Sequence, residues 1–237
     1  MEKLIYTLWR KPEADIASWS SALRGPVADA LRAGGALSAQ FSLVDAGVAA
    51  GEGLRLKSRD VPDGFAMFWM QSANSRATCE AALRSANAGI AGYLVTESKI
   101  KDAPPAAAGP DGRSWGFSLI GMLQRPPRLT REDWLRIWLG SHTAVAVETQ
   151  PTFRYVQNVV TRLLTDEAPA LDAIVEEGFP ATALTDPAAF YDAVGDEEKY
   201  RANHARMMES CHRFIDFDRI DSLPTSEYMV RPLAVAL

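Results

Sequence analysis

Histidine and cysteine are scarce in this chain of 237 residues, with three of the first and two of the second. Cys79 and Cys211 are too few for a disulfide framework and lie in no CxxC or Cys/His finger spacing, so each reads as a small buried hydrophobe. His204 and His212 match no standard metal spacing, and no i,i+4 histidine pair or carboxylate triad accompanies them or His142, so no metal site and no cofactor is expected. Long apolar runs are missing as well: nothing approaches the roughly 20 residues of a membrane span. Positive charge is not in excess, since 25 Lys and Arg face 30 Asp and Glu for a net charge of −5, which argues against a nucleic-acid partner. The opening Met1-Glu2-Lys3-Leu4-Ile5-Tyr6-Thr7-Leu8 carries no basic n-region, long apolar run or small-residue cleavage site, so a cytoplasmic location is expected.

What is present is the composition of an ordinary globular protein, 47% apolar and 23% charged, at a length that allows one large or two small domains. The segment 101–112, Lys-Asp-Ala-Pro-Pro-Ala-Ala-Ala-Gly-Pro-Asp-Gly, has the composition of a linker and divides the chain into 1–100 and 113–237. Arg10, Pro12, Trp19 and Gly25 recur as Arg125, Pro127, Trp134 and Gly140 at a constant offset, the mark of a duplication.

Each half runs through the same order of elements. Strands are expected at 4–8 and 117–123. Helices follow: Asp15 caps one bearing Ile16, Trp19, Leu23, Val27 and Leu31 on one face, and Thr130 with Asp133 caps one bearing Trp134, Ile137, Trp138 and Val145. Second strands fall at 41–44 and 154–160, third strands at 65–70 and 173–177, and final strands at 93–100 and 219–223. Before the final strands come helices from Asn74 or Ser75 through Leu83 and from Asp186-Pro187 through Val194, and a longer helix at about 197–214 belongs to the second half only. Two β-α-β-β-α-β units result, an α+β fold of tandem ferredoxin-like halves. A sheet with helices on one face needs its other face covered, so the halves are expected to pack sheet to sheet as an α/β-barrel within one chain, its interior open to a small molecule.

Particular residues carry a resemblance. The string Arg125-Pro126-Pro127-Arg128-Leu129-Thr130-Arg131-Glu132-Asp133-Trp134, then Trp138 and His142, then Phe153-Arg154-Tyr155-Val156-Gln157-Asn158, and finally Pro224-Thr225-Ser226-Glu227-Tyr228-Met229-Val230, resembles the EthD family of the dimeric α/β-barrel superfamily. The resemblance covers most of the second half, and the first half looks like a diverged copy. It implies cofactor-free chemistry on small organic molecules, such as decarboxylation of aromatic acids or isomerisation of muconolactones. His142 and Tyr155 fall on a histidine and a tyrosine of the muconolactone methylisomerases, and Glu177 replaces their cysteine. Val159 stands where many family members have histidine, against a two-histidine mechanism.

The residues support the same three positions. His142 shares a helix face with Trp134 and Trp138, and imidazole is the usual proton carrier near neutrality. Tyr155, Gln157 and Val159 share one strand face, and Glu177 shares another with Val175 and Ala173, where a partly apolar cavity raises a carboxyl pKa. Opposite His142, Tyr155 and Glu177 the first half has Val27, Leu43 and Phe68, so chemistry is expected in the second half alone. Trp138, Gln157, Asn158, Glu176, His204 and His212 are candidate substrate contacts, with one of Glu176 and Glu177 expected in solvent. The stripe His204, Met207, Met208, Cys211 and Phe214 reads as core, and the tryptophans as filling of the helix–sheet interface. Together these give a cofactor-independent lyase or isomerase on an aromatic or enolisable molecule, with a cofactor-free monooxygenase or a non-catalytic binding protein as alternatives, and a homodimer as a further association.

Overall fold

In a computed structural model, which describes residues 1–56 and 60–231, eight strands close into one antiparallel barrel. They are β1 (Glu2–Trp9), β2 (Ser38–Leu43), β3 (Gly64–Met70), β4 (Gly89–Asp102), β5 (Phe117–Leu123), β6 (Arg154–Leu163), β7 (Ala173–Phe179) and β8 (Ile220–Arg231). The order around the barrel is β1-β3-β2-β8-β5-β7-β6-β4, so each run of four strands forms a ferredoxin-like sheet with its first and third strands central. The halves pack sheet to sheet as expected, their inner faces meeting across the barrel interior. The halves also join edge to edge, β2 to β8 and β4 to β6, and closure leaves no free sheet edge.

Both faces of the central strands β1 and β3 are covered, which is why they read as nearly unbroken apolar runs, whereas the ends of β4 and β6 are exposed. Leu4, Tyr6 and Leu8 point outward to the helices, while Lys3, Ile5 and Thr7 point into the barrel. Ile5, Phe65, Met67, Tyr93, Ile120 and Ile174 pack the interior, which in an eight-stranded barrel is just wide enough for side chains to fill. An interior open to a ligand of substrate size is thus replaced by a packed core.

The helices cover the outside: α1 (Ile16–Ala22), α2 (Ala28–Ala33) and α3 (Ala77–Ala86) on the first half, and α4 (Arg131–Leu135), α5 (Thr143–Thr149), α6 (Pro187–Phe190) and α7 (Glu197–His212) on the second. Asp15 and Thr130 cap α1 and α4 by accepting from the backbone N–H groups of Ser18 and Asp133. The expected single helices are interrupted, however, by π-helical turns at Leu23–Val27 and Arg136–His142, which hold the repeated Gly25 and Gly140. The reason lies in the spacing of the buried residues. Trp19, Leu23, Val27 and Leu31 on one side, and Trp134, Trp138, His142 and Ala146 on the other, recur every four positions. In an α-helix four residues overshoot a turn by about 40°, and the wider π turn takes up that drift. Ile16, outside this stripe, is 41% exposed.

The duplication is visible in bonding as well as sequence. The Arg10 N–H donates to Asp63 Oδ2 at 2.9 Å and its guanidinium to the carbonyls of Lys11 and Ala14; the Arg125 N–H donates to Asp172 Oδ2 at 2.8 Å and its guanidinium to those of Pro126 and Leu129. Leu4 pairs with Phe68 and Ala39 with Phe68, as Leu119 and Tyr155 pair with Glu177. Phe68 is thereby the counterpart of Glu177, but the counterpart of Tyr155 is Ala39 rather than Leu43.

Several element ends differ from expectation. β4 continues through Asp102, two residues into the linker-like segment. β8 runs past Pro224 to Arg231, although a proline without an N–H argues for a strand end. The helix at Asp186 stops at Phe190, because Asp192 takes φ 52° and Gly195 φ 77°. The tail 231–237, which its apolar sequence suits either to cap a barrel end or to reach a neighbour, lies from residue 232 outside the described residues. Where β5 begins, Gly116 has φ 73°, and a Cβ there would meet the Phe179 carbonyl oxygen at 2.0 Å. Gly116→Ala is expected to lower stability by at least about 2 kcal/mol in urea denaturation, from left-handed strain plus the clash.

Candidate functional site

The expected site residues divide between two compartments and the surface. Trp138, His142, Tyr155, Gln157 and Glu177 lie between the second half's sheet and its helices, and Asn158 and Glu176 lie inside the barrel. His204 and His212 are exposed on α7, His204 with its ring 5.1 Å edge-on to Tyr191 and His212 packed on Phe217 at 5.3 Å. His212 is thus displaced from the other groups by the turn of its own helix.

In the helix–sheet compartment, β6 and β7 present Tyr155 and Glu177 as a directly paired cross-strand couple. Burial pushes the Glu177 carboxyl up to about 7, and among the described residues no cation faces it. Tyr155 is 1% exposed, and burial followed by the neighbouring Glu177 charge raises its hydroxyl well above the ordinary range. Tyr191 and Cys211 close over the same carboxylate, each pushed up to about 12 by burial first. The Gln157 amide donates to Thr143 Oγ1 at 2.9 Å, and the side chains of Gln157 and Trp138 also hydrogen-bond Tyr155, which opposes the rise of its hydroxyl.

His142 comes from the end of the π-helical turn and is 6% exposed. Its ring lies 4.5 Å from that of Phe214, and burial with the Arg213 charge lowers its pKa to about 4, so it is neutral at physiological pH. Nδ1 is 2.9 Å from Ser210 Oγ, which also accepts from Arg213 Nη2 at 3.0 Å. A guanidinium has no acceptor, so the serine hydroxyl hydrogen turns to Nδ1, and the ring proton is assigned to Nε2. The imidazole is then a neutral donor with a fixed tautomer. Trp134 stacks on Trp138 at 5.2 Å and donates to the Phe214 carbonyl at 3.0 Å, fixing the floor.

Glu176 is not in solvent. Lys3 Nζ reaches Glu176 Oε1 at 2.5 Å and Glu97 Oε1 at 2.8 Å, and lies 4.9 Å above the Trp69 ring. Asn158 donates to Glu176 Oε1 at 2.9 Å, and Gln40 donates to Glu176 Oε2 at 3.3 Å and Glu227 Oε2 at 3.0 Å. Arg154 closes the network on Glu227. Burial raises the Glu176 carboxyl, but Lys3 and Arg154 outweigh it and hold the group below its ordinary value. Beside this network is a cavity of about 100 Å³, room for a few waters, while Gln40 Oε1 and Asn158 Oδ1 are buried without a partner. The network draws strands from both halves and crosses both seams, so its first role is to fix their register. In the sequence Arg154 and Glu227 stand out only within the family-like strings, and Lys3, Gln40 and Glu97 do not stand out as site residues; the one signal is a lysine directly before the apolar run that starts at Leu4.

The tryptophans serve separate places, Trp69 in the barrel and Trp115 exposed against Phe153 at 5.3 Å. Cys79 is fully buried and Cys211 partly so. Among the described residues there is no cluster of three or more His, Cys, Asp or Glu able to hold a metal ion, and no helix long and apolar enough to cross a membrane.

No family model matches the sequence, and no curated protein matches it. Solved structures do match. An anthrone oxidase-like protein is similar over 100% of this chain and 95% of its own, with TM-score 0.55 and 11% identity. A candidate monooxygenase from Fusobacterium nucleatum aligns over 97% of this chain and 92% of its own (TM-score 0.48, 9% identity), and a single-site variant of the chlorite dismutase from Candidatus Nitrospira defluvii over 97% and 91% (TM-score 0.47, 11% identity). At these identities it is the fold that is shared, and EthD membership is not shown. The chain has the dimeric α/β-barrel fold, with both halves of the barrel in one polypeptide.

Proposed function

We propose that the protein is an enzyme that moves protons on a small aromatic or enolisable molecule in the second half's helix–sheet compartment, as a cofactor-independent lyase or isomerase. The observation that carries this reading is the asymmetry of the duplication: His142, Tyr155 and Glu177 stand where the first half has Val27, Ala39 and Phe68. Glu177, titrating near 7, takes a proton from carbon. Tyr155 stays protonated and donates to the oxygen on which charge develops, and neutral His142 donates through Nε2. In an isomerisation the enolate then regains its proton at another carbon; in a cleavage the protonated Glu177 instead gives its proton to the ring carbon bearing the carboxylate or hydroxyalkyl group, and that C–C bond breaks with its electron pair staying on the ring, as carbon dioxide leaves or as an aldehyde leaves with its hydroxyl proton passing to the carboxylate. Trp138, Met207, Phe214 and Tyr191 give such a substrate an apolar, aromatic enclosure.

A second reading rests on the neighbour named anthrone oxidase-like, an anthrone being an enolisable aromatic ketone. The same deprotonation would give a carbanion that reacts with oxygen. The two readings part on oxygen dependence. In either, His142→Ala is expected to fold and to lose about 10²-fold or more of turnover in anaerobic or aerated assays of hydroxyaryl acids, lactones and anthrone-type ketones. Unchanged turnover by that variant would remove His142 from the chemistry.

A further inference from the structure

The first half holds a groove of about 710 Å³ that has no part in the compartment above, between α1 and the chain that follows β2. Its volume suits a small organic molecule. In the duplicated helix, Ala17, Ser20 and Ser21 of this groove correspond to Glu132, Leu135 and Arg136, so three small side chains border it where the second half has larger ones, and Arg24 takes the place of Leu139.

The polar groups of the groove are unevenly committed. Its two carboxylates are taken: Asp45 accepts from Gly47 N at 2.9 Å, Ser226 Oγ at 2.7 Å and Tyr228 OH at 2.7 Å, and Asp63 accepts from Arg10 N at 2.9 Å. Its three guanidiniums keep donors in hand. Arg24 Cζ lies over the Tyr228 ring at 4.3 Å, and among the described residues its guanidinium is hydrogen-bonded only to the Ser20 and Asp111 carbonyls. Arg113 donates from Nε to Ser226 Oγ at 3.1 Å. The Arg55 side chain is 18% exposed; its Nε is ion-paired with Glu52 Oε2 at 3.1 Å, and among the described residues no hydrogen bond engages its guanidinium. Guanidinium donors left unengaged gain charge-assisted bonds from an anionic ligand. Ile16, Val44, Ala46 and Ala49 give the rest of the groove an apolar wall.

We propose that this groove binds a small organic carboxylate with an aromatic or aliphatic body, its carboxylate on Arg24 and Arg55 and its body on α1 and the Val44–Ala49 wall. Arg24, Arg55 and Arg113 stand against Asp45, Asp63 and, beside Arg55, Glu52, so no excess of positive charge favours a polyphosphate and the carboxylate is held by the spare guanidinium donors. The site is independent of His142 and of the reaction proposed there.

Calorimetric titration with 1-naphthoate tests this, with 1-naphthalenemethanol, inorganic phosphate and pyrophosphate run alongside. One saturable site is expected for naphthoate, with Arg24→Gln and Arg55→Gln each weakening it about tenfold or more, and His142→Ala leaving it unchanged. Ala49→Phe, at an exposed position, is expected to block binding by filling the groove while the charges stay, which keeps the result separate from any loss of fold in the arginine variants. Equal affinity for the neutral alcohol, tighter binding of pyrophosphate, retention of affinity in Ala49→Phe and both arginine variants, or no saturable naphthoate binding would each overturn the proposal.

Discussion

Lys3→Met is expected to cost the fold about 3–5 kcal/mol, measured by urea denaturation at neutral pH, although methionine suits a buried strand position at least as well as lysine. The lysine side chain is 2% exposed and its partner Glu176 1%, so removing the cation leaves a carboxylate inside the barrel with only the amides of Gln40 and Asn158 and the more distant Arg154 charge. The loss comes from the stranded charge rather than from the net value of the pair. Lys3→Met combined with Glu176→Leu is therefore expected to regain most of the stability, since apolar replacements of a whole buried pair are often neutral or better. Glu176 also links stability to pH. Its folded pKa lies below the unfolded value, so its contribution is full above the ordinary carboxylate range and is lost as pH falls through the folded pKa. A single mutant as stable as the parent, or a double mutant no better than the single, would show that the network does not hold the barrel seams.

The opposite sign is expected at Glu177. Its carboxyl is raised from 4.5 to about 7 by burial, so folding takes up a proton and stability falls as pH climbs between those values, levelling above them. At about 1.4 kcal/mol per unit the cost above pH 7 reaches at most about 3 kcal/mol, and partial exposure of the residue brings it nearer 1–2. Glu177→Gln should consequently unfold at a higher temperature than the parent at pH 8 and at nearly the same temperature at pH 5. The same variant is expected to lose about 10²-fold or more in kcat/KM, since an amide cannot accept a proton from carbon. In the parent, kcat/KM should rise with pH through an apparent pKa near 7. Stability gained with activity lost is the signature of a group retained for chemistry at the expense of the fold. A destabilised Glu177→Gln, or one with full activity, would make the residue structural.

The order of elements was legible in the sequence because each half alternates a short β-rich run with a capped helix, and because Arg10, Trp19 and Gly25 repeat as Arg125, Trp134 and Gly140. The π turns were legible in principle, in the four-residue spacing of Trp134, Trp138, His142 and Ala146, but a one-faced α-helix predicts nearly the same list of buried residues. The barrel within one chain was expected and is found; what local sequence could not supply was how its interior is filled. An interior open to a small molecule was expected, whereas the barrel draws Lys3, Gln40, Glu97, Glu176 and Glu227 together from five strands, a juxtaposition with no short-range signature. The alternation of strand faces grouped Tyr155 with Gln157, and Glu177 with Val175, but which side those faces meet was not legible; the structure turns them to the helices and sends Asn158 and Glu176 into the barrel, where they serve a different purpose. His204 and His212 were drawn in by helical spacing alone, and α7 turns both to solvent.

The central claim is that the second half's helix–sheet compartment moves protons on carbon. Proton NMR in deuterated buffer under argon, following the acidic C–H of anthrone-type ketones, hydroxyaryl acids and lactones, reads that event whatever its later outcome. Parent protein is expected to wash deuterium into, or convert, at least one of these substrates, with Glu177→Gln and His142→Ala reduced about 10²-fold and the groove variant Ala49→Phe unchanged. Exchange or conversion that proceeds equally in Glu177→Gln and His142→Ala would contradict the account, and so would binding of these molecules with neither exchange nor conversion.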